Sequence, residues 1–307
     1  MRVLITGANG MLATNLIENL LSKGYFVRGL LRDKSKYKGI THPDLELIEG
    51  DFTEHNTAQL SVDGCDYIIH AAAVTSQNLL SYDQYKRVNV DATVQLLNIA
   101  IEHNIKRFVH VSTANTIGYG TPLNPGCETM PIMPPYSDSM YVKSKYEAEN
   151  EVLALSDRLD VVVTNPTFMI GKYGSVNGSN RIFKMARRVA MCPKGGRNFI
   201  DVEEAAEGII GAMLRGRCGE RYLICSENLS YRTFFGEAPN VKYILDTPNW
   251  LLLAMGKVGD LLRYCGLQTD ISGANMKILC QNVGYSNEKA KREFDFAPKP
   301  ISVSKYF

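Results

Sequence analysis

At 307 residues, 45% hydrophobic and 21% charged, the chain has the makeup of an ordinary globular protein, long enough for one large domain or two modest ones. A net charge of +2 gives no reason to expect nucleic acid or an acidic surface as the main partner. Seven scattered cysteines, with no C-x-x-C pair and no His/Cys cluster at ligand spacing, speak against a disulfide framework and a metal centre, and fit reduced thiols in a cytoplasmic protein.

The sequence opens on an apolar strand, RVLIT (Arg2 to Thr6), so no signal peptide is expected. Glycine-rich TGANGMLA follows, and from Met11 the residues Leu12, Leu16, Leu20 and Leu21 recur at helical spacing as far as Gly24. Further short apolar runs are YFVRGLL (Tyr25 to Leu31), LELIE (Leu45 to Glu49), DYIIHAA (Asp66 to Ala72), RFVHVS (Arg107 to Ser112) and DVVVTN (Asp160 to Asn165). Helical stretches intervene near Gln84 to His103 and Met140 to Ser156. Such runs between helices ask for a parallel sheet covered on both faces, so the fold class expected is doubly wound α/β.

Beyond Pro166 the rhythm breaks into a YGSVNGSNR loop, a helix from about Ile182 to Met191, a CPKGGRNF loop, the helix VEEAAEGIIGAMLRG and the strand RYLICS. Residues 1–165 are expected to form the dinucleotide-binding domain, with 199–224 returning to it. Residues 166–198 and 225–307 are expected to form a smaller, interleaved substrate lobe. WLLLAM (Trp250 to Met255), soon followed by Lys257, Asp260 and Arg263, falls far short of the ~20 apolar residues that span a bilayer. It reads as an amphipathic helix on a core or subunit interface, with membrane contact the lesser reading.

Between the first strand and first helix, Gly7 and Gly10 allow a sharp turn that brings backbone amides to a pyrophosphate, and Ala13 lets helix pack on strand. Thr6, Asn9, Met11 and Leu12 belong to the same cofactor-binding turn. The second strand ends in GLLRDKSK, with Arg32 in place of the acid that would hold a ribose hydroxyl. A guanidinium suits a 2′-phosphate, so NADP is expected over NAD, with Asp33 as the remaining ribose acceptor.

A tyrosine four residues before a lysine occurs as Tyr82/Lys86, Tyr141/Lys145 and Tyr285/Lys289. The glycine loop, the strand pattern and YVKSK (Tyr141 to Lys145) together resemble the extended short-chain dehydrogenase/reductase family, which also contains the sugar-nucleotide epimerases and dehydratases. Further matches follow in order up to about Leu229. EGDFT resembles the segment where Asp51 meets the adenine edge and Phe52 lines it. HAAA resembles the cofactor-lining turn, with Ala71, Ala72 and Ala73. VNVDAT resembles the family's Asn-containing helix, with Asn89. TNPTFMIG resembles the stretch flanking the nicotinamide, with Pro166, Thr167 and Phe168.

VSTANTIGYG matches the family's strand-end hydroxyl segment, so the resemblance implies a catalytic set of Thr113, Tyr141 and Lys145, with Ser112 the alternative to Thr113. Tyr141 and Lys145 would also contact cofactor. Reduction of a carbonyl leaves an alkoxide that needs a proton within hydrogen-bond reach, and a free tyrosine, with pKa near 10, is a poor acid or base. A lysine one turn away is expected to pull that value down. Tyr82/Lys86, with no strand-end hydroxyl before it, reads as a solvated helix face, and Tyr285/Lys289 as a surface helix behind a Ser/Asn cap. Tyr136 lies near but has no lysine at the right spacing.

Asn165-Pro166 and the basic second strand resemble the dihydroflavonol reductase, cinnamoyl-CoA reductase and hydroxysteroid dehydrogenase branch. This implies an NADP(H)-dependent oxidoreductase acting on a ketone, aldehyde or secondary alcohol of a small hydrophobic molecule, with Thr113, Phe168 and Met169 at the substrate. The alternative is a nucleotide-sugar epimerase or dehydratase with tightly bound NAD. GGRNFIDVEEAA supports it, where Arg197 would clamp a substrate phosphate unless it caps the nearby helix or pairs with Glu203 or Glu204. Ala114 and Asn115 after the threonine argue against dehydration. A non-catalytic NADP-binding sensor is the third reading, against which the intact Thr113/Tyr141/Lys145 set counts. The expected partner is a small-molecule substrate, with neither nucleic acid nor a membrane span, in a homodimer built on the helices around 84–103 and 140–156.

Overall fold

The computed structural model describes residues 1–175, 178–186 and 189–306. From the N-terminus, β1 (Arg2–Thr6), α1 (Met11–Ser22), β2 (Phe26–Leu31), β3 (Leu45–Glu49), α2 (His55–Val62) and β4 (Tyr67–His70) alternate. Then come α3 (Tyr82–Lys86), a π-helical turn over Arg87–Asp91, α4 (Ala92–Glu102), β5 (Arg107–Val111), α5 (Met140–Ala154) and β6 (Val161–Pro166). The next part runs β7 (Phe168–Ile170), α6 (Arg181–Met185), β8 (Val189–Pro193), β9 (Gly196–Asp201), α7 (Val202–Arg215) and β10 (Glu220–Ile224). The last elements are β11 (Glu227–Ser230), α8 (Tyr231–Gly236), β12 (Tyr243–Thr247), α9 (Asn249–Tyr264), α10 (Gly273–Leu279) and α11 (Glu288–Phe294).

Seven strands form one parallel sheet in the order β10-β6-β5-β4-β1-β2-β3. The expected doubly wound α/β architecture is present. Its strands are apolar on both sides because helices cover both faces. Leu16, Ile17 and Leu20 of α1 pack with Ile209, Ile210 and Met213 of α7 on one face. Leu96 and Leu97 of α4 and Val152 of α5 close the other. The chain runs outward from β1 to β3 and then returns to the opposite side of β1 as β4. That reversal opens a crevice at the C-terminal ends of β1 and β4.

The smaller part holds a three-stranded sheet, β11-β9-β7, and a two-stranded parallel ribbon, β12-β8. Two expectations are corrected here. The helix expected to Met191 ends at Met185, because from Val189 the side chains alternate outward and inward at strand period, Ala190 and Cys192 pointing in. Arg187 and Arg188, between them, lie outside the described residues, as do Val176 and Asn177 of the expected glycine loop. CPKGGRNF is not a loop, since Gly196–Asp201 is the central strand of its sheet. Gly196 marks close backbone approach: a Cβ there would lie 2.6 Å from the Leu229 carbonyl.

Helix α9 rests on α10 through its glycines. A Cβ on Gly256 would lie 3.0 Å from the Gly273 Cα, and one on Gly259 would lie 2.2 Å from the Ile271 carbonyl. Gly259→Ala is therefore expected to force α9 away from the Ile271 segment that leads into α10 and cost roughly 1–3 kcal/mol. A thermal melt checks this, and an unchanged Tm would show that the two are not in close contact.

Candidate active site

The glycine turn is built for close approach. Gly7 has φ +72°, and a Cβ on it would lie 3.0 Å from the Ala72 Cα. Gly10 precedes α1 without a capping side chain, and the first turn of the helix carries no acid. The leading amides are left for an anion, so the residues present fit a dinucleotide pyrophosphate. Asn9 is exposed beside the turn, Met11 is half-buried and Leu12 is buried in the core.

Thr6 does not face this cradle. Its hydroxyl accepts from the Ala72 amide at 3.1 Å and meets His70 Nδ1 at 2.8 Å. His70 Nε2 lies 3.0 Å from Thr93 Oγ1, which donates to the Asn89 carbonyl. The Asn89 side chain is likewise spent, accepting from the Val74 amide and donating to the Val74 carbonyl and to Ser144 Oγ. Thr6 and Asn89 thus hold the Ala71–Val74 turn in place; neither is free to bind cofactor through its side chain. Phe52 packs edge-on against His70 at 5.1 Å, and Asp51 accepts from the Thr53 amide.

At the end of β2, Asp33 is engaged locally by Ser35 and Lys36, whereas the exposed Arg32 side chain has no partner among the described residues. The ribose acceptor is occupied and the guanidinium is free.

Lys145 is 2% exposed and directs its ammonium at the Val111 carbonyl (2.8 Å) and His110 Nε2 (3.2 Å). To accept this bond His110 must be neutral, and burial with the Lys145 charge holds it well below the ordinary histidine range. The same causes bring His70 down to about 3. Burial pulls Lys145 itself down to about 8, despite the Glu149 carboxylate one turn away.

Tyr141 stands on the wall of a cleft of about 560 Å³, bounded also by Tyr85, Ser139, Leu253, Lys257 and Arg263. Its hydroxyl has no hydrogen-bond partner among the described residues. The expected fall in its pKa is not found: burial pushes the phenol up to about 12, with Tyr85 adding to the rise. The reason is geometric, because the lysine is committed to His110 and Val111 and makes no bond to Tyr141.

Thr113 follows β5, its hydroxyl accepting from the Asn115 amide at 3.3 Å. Ser112 is buried and its hydroxyl has no partner among the described residues. A network missed from the sequence fixes this turn. Asn165 Nδ2 lies 3.2 Å from the Thr113 carbonyl and 2.9 Å from Glu149 Oε2. The Thr116 hydroxyl lies 2.7 Å from the same carbonyl and 2.9 Å from the same carboxylate. Arg221 of β10 pairs with Glu149 at 3.2 Å. The only signal in the sequence was Glu149 four residues beyond Lys145, on the buried side of the same helix.

Pro166 is buried at the end of β6, and Thr167 donates to Asn198 Oδ1. Phe168 lies under Arg197, whose guanidinium carbon is 4.5 Å from that ring and 5.6 Å from the Tyr231 ring. Neither Glu203 nor Glu204 pairs with Arg197. Its Nε is buried without a partner, and no carboxylate meets the guanidinium among the described residues.

The other two Tyr/Lys pairs have structural partners. Tyr82 and Lys86 both bond Glu147 of α5, so that face is half-buried and tied down, not solvated. The expected surface helix behind Ser286 and Asn287 is α11, with Glu288, Lys291 and Arg292 exposed, but the pair itself turns inward: Tyr285 is buried, and Lys289 bonds Glu220 and the Arg221 carbonyl. Tyr136 is buried against Tyr119.

A model of the NAD dependent epimerase/dehydratase family matches residues 3–225, well over half of the chain. A Synechocystis sp. protein provisionally named dihydroflavonol 4-reductase is 27% identical, over 97% of this chain and 90% of that protein. A ketoreductase of Stigmatella aurantiaca, named for 4-hydroxy-2-methyl-3-oxo-4-farnesyl-3,4-dihydroquinoline-1-oxide, is 28% identical over 97% of this chain and 92% of that one. A Mycobacterium tuberculosis 3 beta-hydroxysteroid dehydrogenase/isomerase is 33% identical over 60% of this chain and half of its own. Among solved structures, gox2253 superposes with TM-score 0.77 at 25% identity, covering 98% of this chain and 94% of that one. Thermotoga maritima UDP-glucose 4-epimerase shares the fold at TM-score 0.77 and 17% identity, covering all of this chain and 96% of its own.

The buried ammonium makes a signed prediction. Lys145 binds its proton less tightly folded (about 8) than unfolded (about 10.4), so the unfolded chain holds more protons between those values. Wild type should therefore gain stability relative to Lys145→Met as pH rises from about 8 to about 10, by up to ~3 kcal/mol. Urea denaturation at the two pH values measures it, and parallel curves would mean that the lysine is not desolvated.

Proposed function

Since the chain belongs to the NAD-dependent epimerase/dehydratase family and is an NAD(P)-dependent oxidoreductase, we propose that it reduces a ketone or aldehyde on a small hydrophobic molecule with NADPH, and oxidises the corresponding alcohol in reverse. The observation carrying this reading is the placement of Tyr141, a phenol without a protein partner on the wall of a cleft, one helical turn from a buried ammonium. The nicotinamide, when bound, supplies or takes up the hydride.

The chain's own residues do the rest. The Gly7–Gly10 turn and the amides of α1 hold the pyrophosphate, and Arg32 meets the 2′-phosphate. Lys145, with two of its protons spent on Val111 and His110, keeps a third for the nicotinamide ribose. Tyr141 gives its proton to the substrate oxygen, which the hydroxyl of Thr113, or of its neighbour Ser112, orients. With its pKa raised to about 12, Tyr141 carries its proton at neutral pH, the form from which the reducing direction starts, although burial makes it a weaker acid than free tyrosine. The names of the Stigmatella and Mycobacterium relatives, a ketoreductase and a hydroxysteroid dehydrogenase, support an apolar carbonyl or alcohol.

A nucleotide-sugar epimerase with tightly held NAD is the second reading, favoured by Arg197 alone, because a guanidinium with no carboxylate suits a phosphate. A cytoplasmic homodimer through α4 and α5 completes the proposal, as does a substrate lobe formed by residues 166–198 and 225–307.

Consumption of NADPH with a panel of apolar ketones tests the first reading; retention of NAD through purification, with turnover of a UDP-sugar, would replace it with the second. Tyr141→Phe should lower turnover by about 100-fold or more while sparing cofactor binding, and equal loss in Tyr82→Phe would sink the assignment. Loss confined to Ser112→Ala, and absent in Thr113→Val, would move the orienting role to Ser112. Arg32→Ala should weaken NADP binding by about 10- to 100-fold and leave NAD unchanged, a charge-assisted bond contributing about 1.5–3 kcal/mol. Unaltered NADP affinity would overturn the cofactor preference.

A further inference from the structure

Helix α9 is largely apolar on the side that faces away from the protein. Its buried positions are Leu252, Gly256 and Gly259. At 100° per residue the opposite side carries Trp250, Ala254, Lys257, Val258, Leu261 and Cys265, all exposed, with Lys257 the one charge among them. Trp250 is 69% exposed at the start of the helix, Leu261 is 62% exposed, and Tyr264 is 90% exposed at its end. The ribbon just before α9 continues the character: Tyr243 and Leu245 of β12 stand in register with Val189 and Met191 of β8, and all four are exposed. Large exposed apolar surfaces on proteins in water mark sites of interaction.

We propose that α9 is a membrane-docking helix, lying in the headgroup layer of a lipid bilayer and setting the mouth of the Tyr141 cleft against it. Three observations choose a bilayer as the occupant. Aromatic residues with polar tips stand at both ends of the apolar stripe, the arrangement that suits the boundary between acyl chains and headgroups. Exposed Lys257, within the stripe, and Lys242, just before the ribbon, have no carboxylate partner among the described residues, which leaves both for anionic headgroups. The same helix also forms a wall of the cleft through Leu253, Lys257, Asp260 and Arg263, so a molecule dissolved in the bilayer has a short route to Tyr141. This last link rests on the reading of the substrate as apolar; the docking surface itself does not. No described helix is long and apolar enough to cross a membrane, so α9 lies on the surface and does not span it.

Trp250 is the only tryptophan of the chain, which makes it a built-in reporter. The full chain, without substrate, is mixed with vesicles of equimolar phosphatidylcholine and phosphatidylglycerol. Its emission should shift to the blue and the protein should float with the vesicles. Val258→Glu combined with Leu261→Glu should lose both effects while keeping the circular dichroism spectrum and NADPH binding of wild type. Absence of shift and flotation in wild type would overturn the proposal. So would light scattering that shows a wild-type dimer dissociated by the double variant, which would assign the face to a second copy. Vesicle binding with no turnover of apolar ketones would leave the docking surface standing and refute the reductase reading alone.

Discussion

A positive charge held out of water at Lys145 sets the terms for the rest of the site. Lowering its pKa from 10.5 to about 8 corresponds to about 3 kcal/mol of lost preference for the charged form. The fold tolerates this only because α5 is laid across β5 so that a carbonyl and a neutral imidazole receive the ammonium. The countercharge is not placed in contact. Glu149 sits one turn further along, anchored to Arg221 of β10 and to Asn165 of β6. Three neighbouring strands are therefore needed to position one ammonium and the hydroxyl turn beside it.

Around that charge the polar groups form a continuous neutral scaffold. The Ala72 amide, Thr6, His70 and Thr93 make a chain of bonds from the turn after β4 to α4, and Asn89 carries it through Ser144 to α5. Buried polar groups that are satisfied in this way rigidify what they connect. The glycine turn, the alanine turn and the helix bearing Tyr141 share one framework, the preorganisation that the proposed proton donor requires. Residues read from the sequence as cofactor ligands, Thr6 and Asn89, turn out to be members of the framework.

Local signals located the glycine turn and singled out Tyr141 as the proposed proton donor, because both depend on order along the chain. The glycine turn was legible from Gly7 and Gly10 between strand and helix, and Tyr141 was separable from Tyr82 and Tyr285 because it alone follows a hydroxyl-tipped strand. What was not legible depends on partners distant in sequence. β8 is specified by pairing with β12 some fifty residues later, and Gly195 and Gly196 looked like a loop because glycine marks turns and close strand contact alike. The phenol pKa failed for a similar reason. Spacing brings a lysine near a tyrosine, but His110 and Val111, on another strand, decide where the ammonium points.

The main sheet is not completed in chain order. Its edge strand β10 pairs with β6 only after the chain has left to build β7, β8 and β9 and returned through α7. Until that excursion closes, β6 presents an unpaired edge and Glu149 lacks its arginine. Long-range closure of this sort raises contact order and slows folding. An unsealed parallel edge is also a template for another chain. Nascent chains that have emerged only as far as β6 therefore carry Tyr141 and Lys145 on a sheet whose edge is still open. Only when synthesis reaches β10 is that edge covered and Glu149 given its arginine.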